Sequence, residues 1–350
     1  METGNQKIYW MDTLKLLAAL LVFSTHFLAE YAPKFLVHWE QGHILYGITG
    51  KLAVSFFFLM SGYFAMKAAR EKAWQYMIKR YLRLAVPVLL IETVMLFWMI
   101  CLKAVNVDAW LSSEITGRYL KLEKMNYQMF LSDIFLLGGK VVVTYWGNFM
   151  LFAGPVIVML LHGICKDKGA SAGKWGKVKP VLLFGAAGLI FYLLGYAWYT
   201  VCMLGALLYL AMSGEKELNV WTRRVIKALL LVVICFCVRT PETNAGYVMK
   251  GAASFGLVFF IFYDKKIQAL LENKICRSLS VYSFEIYLVH TPINLMVVSF
   301  LFGFLKEAGV PHRVTLACAY LLSLVLTLLC SRGVHAAAGR IVQSVWRRIE

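Results

Sequence analysis

Charged residues are scarce in this sequence, and acidic ones are scarcer than basic ones. Only 16% of the 350 residues are Asp, Glu, Lys or Arg, with 19 acidic against 36 basic side chains, whereas 60% are hydrophobic. Apolar runs long enough to span a bilayer recur along the whole length, which excludes a soluble globular chain. The net charge of +17 does not indicate nucleic-acid binding, because the basic residues fall in short loops between the apolar runs.

Several motifs that would point to other chemistry are also missing. The eight cysteines form no CxxC pair, and metal-ligand spacings, glycine-rich phosphate loops and GxSxG turns are absent. We therefore predict neither a metal site nor a disulfide framework. No low-complexity segment or proline-rich linker interrupts the chain, so we expect a single transmembrane domain over residues 1–350.

Ten apolar runs predict the architecture, and they lie near 11–28, 50–66, 84–105, 141–162, 181–197, 199–212, 226–238, 247–263, 281–302 and 314–331. Alternate loops and the C-terminal tail hold 25 of the 36 basic residues when Lys7 and Lys15 are included. The positive-inside rule then places both termini in the cytoplasm. Because lipid requires every spanning backbone group to be satisfied internally, we predict an all-α, polytopic membrane bundle of about ten helices.

The first apolar run contains two ionisable residues, Lys15 and His26. Eleven positions bring them to within about 20° of one helix face and about 16 Å apart along the axis. Such groups in a span usually line a polar cavity, and an imidazole there can act as a general base or a nucleophile. Alternatively, Lys15 extends to the interface and His26 forms an interhelical hydrogen bond.

A second group follows the second run. Arg80 and Arg83 are spaced to lie on one helix face at the predicted cytoplasmic mouth, where two guanidinium groups suit phosphate. Ordinary positive-inside anchoring is the alternative. Within the second run, Ser61 and Gly62 predict close approach of a neighbouring helix.

The ninth run carries a polar stripe. Ser283, Tyr287, His290 and Asn294 follow spacings of four, three and four, so they share one helix face. Pro292 lies in this stripe and predicts a freed carbonyl or a kink. A polar face beside such an interruption favours a cavity lining over interhelical hydrogen bonding alone.

Other polar residues in or near the runs have no assigned partner. Glu92 and Glu285 are acids that could pair with a lysine, an arginine or a histidine. Trp146 could stack on a sugar or belong to an interfacial aromatic belt, and His162 and His335 are interpreted as interface residues.

These stretches together resemble the family 3 membrane-bound acyltransferases, integral bacterial enzymes that O-acylate cell-surface sugars. Two positions differ from the pattern of the family. Lys15 stands where the family commonly has arginine, and Tyr63 stands where its FF-x-L-SGF segment ends in phenylalanine. The matching positions are Lys15 and His26 in the first helix, Phe57–Tyr63 in the second, Arg80 and Arg83 after it, and Tyr287, Leu288 and His290 late in the chain.

The resemblance implies an acyl-CoA donor, most often acetyl-CoA, and a glycan or glycolipid hydroxyl as acceptor, in the bacterial cell membrane. His26 would deprotonate the acceptor or carry the acetyl group, and Lys15 would hold the donor. Tyr287 and His290 would orient the thioester or support the oxyanion. The arginine pair at 80 and 83 would bind the phosphates of CoA. Membrane lipids and a polysaccharide-synthesis complex are the other expected partners.

Two other classes of function remain open from the sequence. A proton-coupled secondary transporter that exports a glycan or lipid intermediate would also contain buried His, Lys and Glu residues. Such a transporter usually shows inverted halves with corresponding broken helices, and only Pro292 interrupts a run here. A purely structural member of a polysaccharide-synthesis complex is the third interpretation.

Overall fold

The computed structural model describes residues 8–32, 51–68, 73–104, 127–137, 147–165, 174–213, 219–238, 240 and 243–349. Every regular element in these ranges is helical, and the same ranges contain no strand. The predicted all-α class is therefore confirmed for this part of the chain.

The longer helices are, in chain order, α1 Tyr9–Tyr31, α2 Ala53–Lys67, α3 Ala73–Ala104, α4 Tyr127–Ile134, α5 Asn148–Cys165, α6 Lys174–Leu193, α7 Ala197–Met212, α8 Val220–Val238 and α9 Asn244–Phe262. They are followed by α10 Lys265–Leu271, α11 Lys274–Leu279, a 3₁₀ turn at Ser280–Tyr282, α12 Ser283–Ile293, a π-helical turn at Asn294–Val298, α13 Ser299–Glu307 and α14 His312–Ile349.

Each of the ten apolar runs overlaps one of these helices or a continuous group of them. Six helical stretches in the described ranges are long and apolar enough to cross a membrane, namely Tyr9–Tyr31, Trp74–Trp98, Asn148–Cys165, Asn244–Phe262, Lys274–Glu307 and His312–Arg348. Three shorter apolar helices accompany them, at Ala53–Lys67, Val178–Leu193 and Ala197–Met212. Ten spans and cytoplasmic termini stay predictions.

The chain divides into two compact units. Unit 1 comprises Met1–Val22, Leu36–Tyr76 and Ala153–Val281, and unit 2 comprises Phe23–Phe35, Met77–Phe152 and Tyr282–Glu350. The chain passes from one unit to the other within α1, α3 and α5.

Unit 1 is built around α7, which packs against α2, α6 and α9. Two glycines allow α2 and α7 to approach closely. A Cβ atom on Gly62 would lie 1.9 Å from the Cys202 carbonyl oxygen, and one on Gly205 would lie 1.9 Å from the Leu59 carbonyl oxygen. Only glycine fits at both crossing points, so the predicted close approach at Gly62 is confirmed.

Unit 2 packs the end of α1 and the π-helical turn against α14. Phe27, Tyr31, Val298 and Ala319 form its buried apolar cluster. The π-helical turn begins two residues after Pro292. Proline has no N–H to donate, so an irregular turn was expected there, and π turns occur frequently at functional sites.

Candidate functional site

His26 is placed by the aromatic face of α1. Phe23 and Phe27 are completely buried, and helical spacing puts His26 beside them with its side chain half-buried. The Phe23 ring packs at 5.4 Å, between ring centroids, from Tyr320 of α14. Ser24 and Tyr320 also share a hydrogen bond of 2.8 Å between their hydroxyl oxygens. These contacts fix the rotation of α1 within unit 2, and hence the direction of His26.

His26 meets His290 of α12. Their ring centroids are 5.2 Å apart with an interplanar angle of 43°, and His290 is completely buried. Tyr287, one turn earlier on α12, is also buried, with its ring 6.1 Å from that of His290. The structure thus brings together three of the six predicted site residues.

The hydrogen bonds of His290 assign its tautomer. Nδ1 lies 3.2 Å from the Ile286 carbonyl oxygen, which can only accept, so Nδ1 carries the proton. In the neutral ring Nε2 is then an acceptor, and it accepts a hydrogen bond from the Thr291 hydroxyl, with 3.1 Å between Nε2 and Oγ1. With both ring nitrogens engaged, His290 is held rigidly beside His26.

A small cavity lies next to His26. It is lined by His26 and Glu30, one turn apart on α1, and by Thr291, Asn294 and Leu295 of the opposite helix. Its volume of about 10 Å³ matches a single water molecule. An acyl thioester therefore fits between these five side chains only if they move.

Asn294 is a buried residue of that cavity with hydrogen bonds to two other helices. It is 2% exposed, and its side-chain Oδ1 accepts a hydrogen bond from Ser323 of α14. The Tyr31 hydroxyl of α1 donates to the backbone carbonyl of the same residue. Two helices thus hold Asn294 at the start of the π-helical turn.

Lys15 lies in unit 1, whereas the two histidines lie in unit 2. Its ammonium nitrogen is 2.6 Å from the Asp12 carboxylate and 4.8 Å from the centre of the Phe64 ring. An intrahelical ion pair with an aromatic contact explains how a lysine is tolerated in this apolar helix. A role for Lys15 in holding the donor stays a prediction.

Arg80 and Arg83 differ in their surroundings, because Arg80 is hydrogen-bonded to the backbone of another helix and Arg83 is exposed. Arg80 donates from Nε, at 2.8 Å, and from Nη2 to the carbonyl oxygen of Leu151 in α5. Pro155 lies four residues after Leu151 and has no N–H, so it leaves this carbonyl without its helical donor. Arg80 therefore supplies the missing hydrogen bond, while Arg83 is exposed.

The structure gives each unassigned acid a neighbour. The Glu285 carboxylate lies 2.8 Å from Nδ1 of His335, and the Tyr282 ring packs edge-on against that histidine. Glu92 is completely buried and interacts electrostatically with Asp133 of α4. Neither pairing followed from sequence spacing, because the partners lie on different helices.

Sequence reasoning missed Lys250, a 2% exposed lysine inside α9. Lys51 and Lys250 both lie near the Tyr247 ring, at 5.5 and 6.0 Å from its centre. The same ring stacks on Trp198 at 4.7 Å. The available signal was the one used for Lys15, a charged residue within an apolar run.

Glu30 was also missed, although an acid one turn after a histidine is visible in the sequence. Trp146, considered for sugar stacking, lies outside the described residues. Within the described ranges, no group of three or more His, Cys, Asp or Glu side chains could hold a metal ion.

Comparison with known proteins agrees with the motif resemblance. The model of an acyltransferase domain, Acyl_transf_3, matches residues 8–332, from the start of α1 into α14. Neither the comparison with curated proteins nor that with solved structures found a match. The match includes all six predicted site residues, and it favours an acyltransferase over the transporter interpretation.

Proposed function

The chain belongs to the family 3 acyltransferases, and from this premise we propose that it is an integral membrane O-acetyltransferase. Its donor is acetyl-CoA, and its acceptor is a hydroxyl of a cell-surface glycan or of the lipid-linked precursor of one. The contact between His26 and His290, beside a small cavity that His26 lines, is the observation that carries the proposal.

His26 is the proposed general base. Its ring is half-buried and lines the cavity, so it can meet a hydroxyl group, whereas the completely buried His290 holds it in place. Glu30 lines the same cavity one turn away, where a carboxylate would stabilise the imidazolium that forms when His26 takes a proton. Direct acetylation of His26 is the alternative chemical course.

The donor site is proposed at the arginine pair. Arg83 is exposed about three turns into the long helix α3, nearer to its N-terminal end, and its guanidinium group can bind a phosphate of CoA. Arg80 lies three positions earlier on the same helix and is the second proposed phosphate ligand, and it also donates to the Leu151 carbonyl oxygen. With ten spans and cytoplasmic termini, this end of α3 faces the cytoplasm, where acetyl-CoA is available.

The test compares purified wild-type protein with His26→Ala. Release of free CoA from acetyl-CoA is measured with and without a glycan extract, and acetylation of surface glycans is followed by mass spectrometry in cells. We expect His26→Ala to abolish both while membrane abundance stays normal.

The matched control is His162→Ala, which replaces a half-buried histidine in the last turn of α5 in unit 1. This variant should retain wild-type turnover. Unchanged acetylation in His26→Ala would reject the assignment of the base. A wild-type protein that neither binds acetyl-CoA nor releases CoA would reject the proposed function itself.

A further inference from the structure

The side-chain amide of Asn294 has one satisfied end and one unsatisfied end. Its oxygen accepts from Ser323, whereas its nitrogen is buried and makes no hydrogen bond within the described part of the chain. A buried donor left unpaired loses its hydrogen bonds to water without replacement, and such groups are rare in folded proteins. An unpaired amide beside the proposed catalytic cavity therefore points to a ligand atom that completes it.

The chemistry of that ligand atom follows from the donor. The amide N–H₂ group of Asn294 can only donate, so its partner is an acceptor, such as a carbonyl oxygen. Asn294 and His26 line the same cavity. In the tautomer assigned above, His290 has no N–H for such an oxygen, because its only N–H is directed to Ile286.

We propose that the Asn294 amide donates a hydrogen bond to the acyl carbonyl oxygen of the bound thioester and to the oxyanion that this oxygen becomes. This inference rests on the proposed function and deepens it, because it names the oxyanion donor. In this arrangement His290 positions His26, and the oxyanion role expected for His290 passes to Asn294.

The complete step conserves atoms and charge. His26 removes the proton of the acceptor hydroxyl as the hydroxyl oxygen forms a bond to the acyl carbon. The carbonyl π electrons move onto the oxygen that faces Asn294. When the carbonyl re-forms, the carbon–sulfur bond breaks, and the CoA thiolate leaves with the proton held by His26. The products are an O-acetyl ester and free CoA.

The geometry around Asn294 suits this role because donors that are fixed in advance stabilise developing charge without reorganising. Ser323 and Tyr31 restrain the residue from two helices, and Asn294 is the first residue of the π-helical turn. Removal of one oxyanion donor lowers kcat by about 10²–10³-fold in characterised enzymes.

Three variants separate the donor from its support. Asn294→Leu removes the donor and also leaves the Ser323 hydroxyl without its acceptor. Ser323→Ala removes that same bond but keeps the donor. The double variant replaces both partners by apolar groups, which is close to neutral for stability. Thr327→Val is the matched control, because Thr327 is a buried α14 residue whose hydroxyl is also unpaired within the described ranges.

The readouts are kcat for CoA release and the Kd of free CoA, which has no acyl carbonyl. We expect Asn294→Leu and the double variant to lose about 10²–10³-fold in kcat. Their affinity for free CoA should stay within about threefold, because CoA lacks the oxygen that Asn294 binds. Ser323→Ala should lose less than about tenfold, and Thr327→Val should match the wild type.

Two results would overturn the inference while the proposed function stands. One is wild-type kcat in the double variant, and the other is an equal loss of free CoA affinity, which would show a structural role. An inactive wild-type protein that does not bind acetyl-CoA would overturn the proposed function, and the inference with it.

Discussion

Arg80 has one observed contact, with the Leu151 carbonyl, and one proposed role, in binding CoA, and a double-mutant cycle with Pro155 separates the two. In the structure, Arg80 donates two hydrogen bonds to the Leu151 carbonyl that Pro155 leaves without a donor. Hydrogen bonds from a charged donor contribute about 1.5–3 kcal/mol, and an orphaned carbonyl in this part-buried position costs a similar amount. We therefore expect Arg80→Ala to lower the free energy of unfolding by about 1.5–3 kcal/mol.

The Pro155→Ala background changes that expectation. Alanine at 155 supplies the helical N–H for Leu151, so the carbonyl is satisfied even without Arg80. The cost of Arg80→Ala should then fall to about 0.5–1.5 kcal/mol, the net contribution of an ordinary hydrogen bond. The difference is a coupling energy of about 1–2 kcal/mol, within the range for residues that share a partner.

The assay is reversible unfolding of the wild type, both single variants and the double variant in mixed detergent micelles, with CoA binding measured by calorimetry on the same samples. Arg83→Ala is the matched control, because its exposed side chain should show no coupling to Pro155. We expect Pro155→Ala to restore stability to Arg80→Ala without restoring CoA affinity.

Two outcomes would refute this reasoning. If Arg80→Ala cost the same free energy in both backgrounds, the Leu151 carbonyl would not be the partner that matters. If CoA affinity returned together with stability, Arg80 would be only a structural residue, and the donor site would depend on Arg83.

The remaining predictions concern packing and charge. Gly62→Ala and Gly205→Ala should each lower the free energy of unfolding by about 1–3 kcal/mol or more, because each new Cβ meets a carbonyl oxygen at 1.9 Å. Gly185→Ala has no atom within 4 Å of the new Cβ and should be neutral or stabilising by up to about 1 kcal/mol, as measured by the same unfolding assay. His335→Ala should destabilise more than Glu285→Gln, because it leaves the buried Glu285 carboxylate without its 2.8 Å contact to Nδ1 of His335, whereas glutamine removes the charge itself. Equal effects of the last two variants would show that the buried charge of Glu285 does not depend on His335.

The helices and the group of His26, Tyr287 and His290 could be predicted from the sequence. The ten apolar runs overlap helices in the structure. Such a run can be recognised from the sequence because its length and hydropathy are local properties of the chain. The importance of Gly62 was also predictable, since a small residue in an apolar helix implies a close neighbour. Helical spacing likewise placed Asn294 on the face of His290.

Partners of polar side chains were not predictable in the same way. A helical pattern shows which residues share a face, but it does not show which helix that face meets. Glu285 therefore gained His335, fifty positions away, and Arg80 gained the Leu151 carbonyl, which depends on a proline in α5.

The sequence by itself determined an all-helical membrane chain with ionisable residues in its spans, because hydropathy and helical periodicity are local properties. Only the tertiary structure decided that His26 packs against His290 and lines a cavity with Asn294, while Lys15 pairs with Asp12. It also decided that the cavity beside His26 is as small as one water molecule, because that volume depends on how side chains from separate helices pack together.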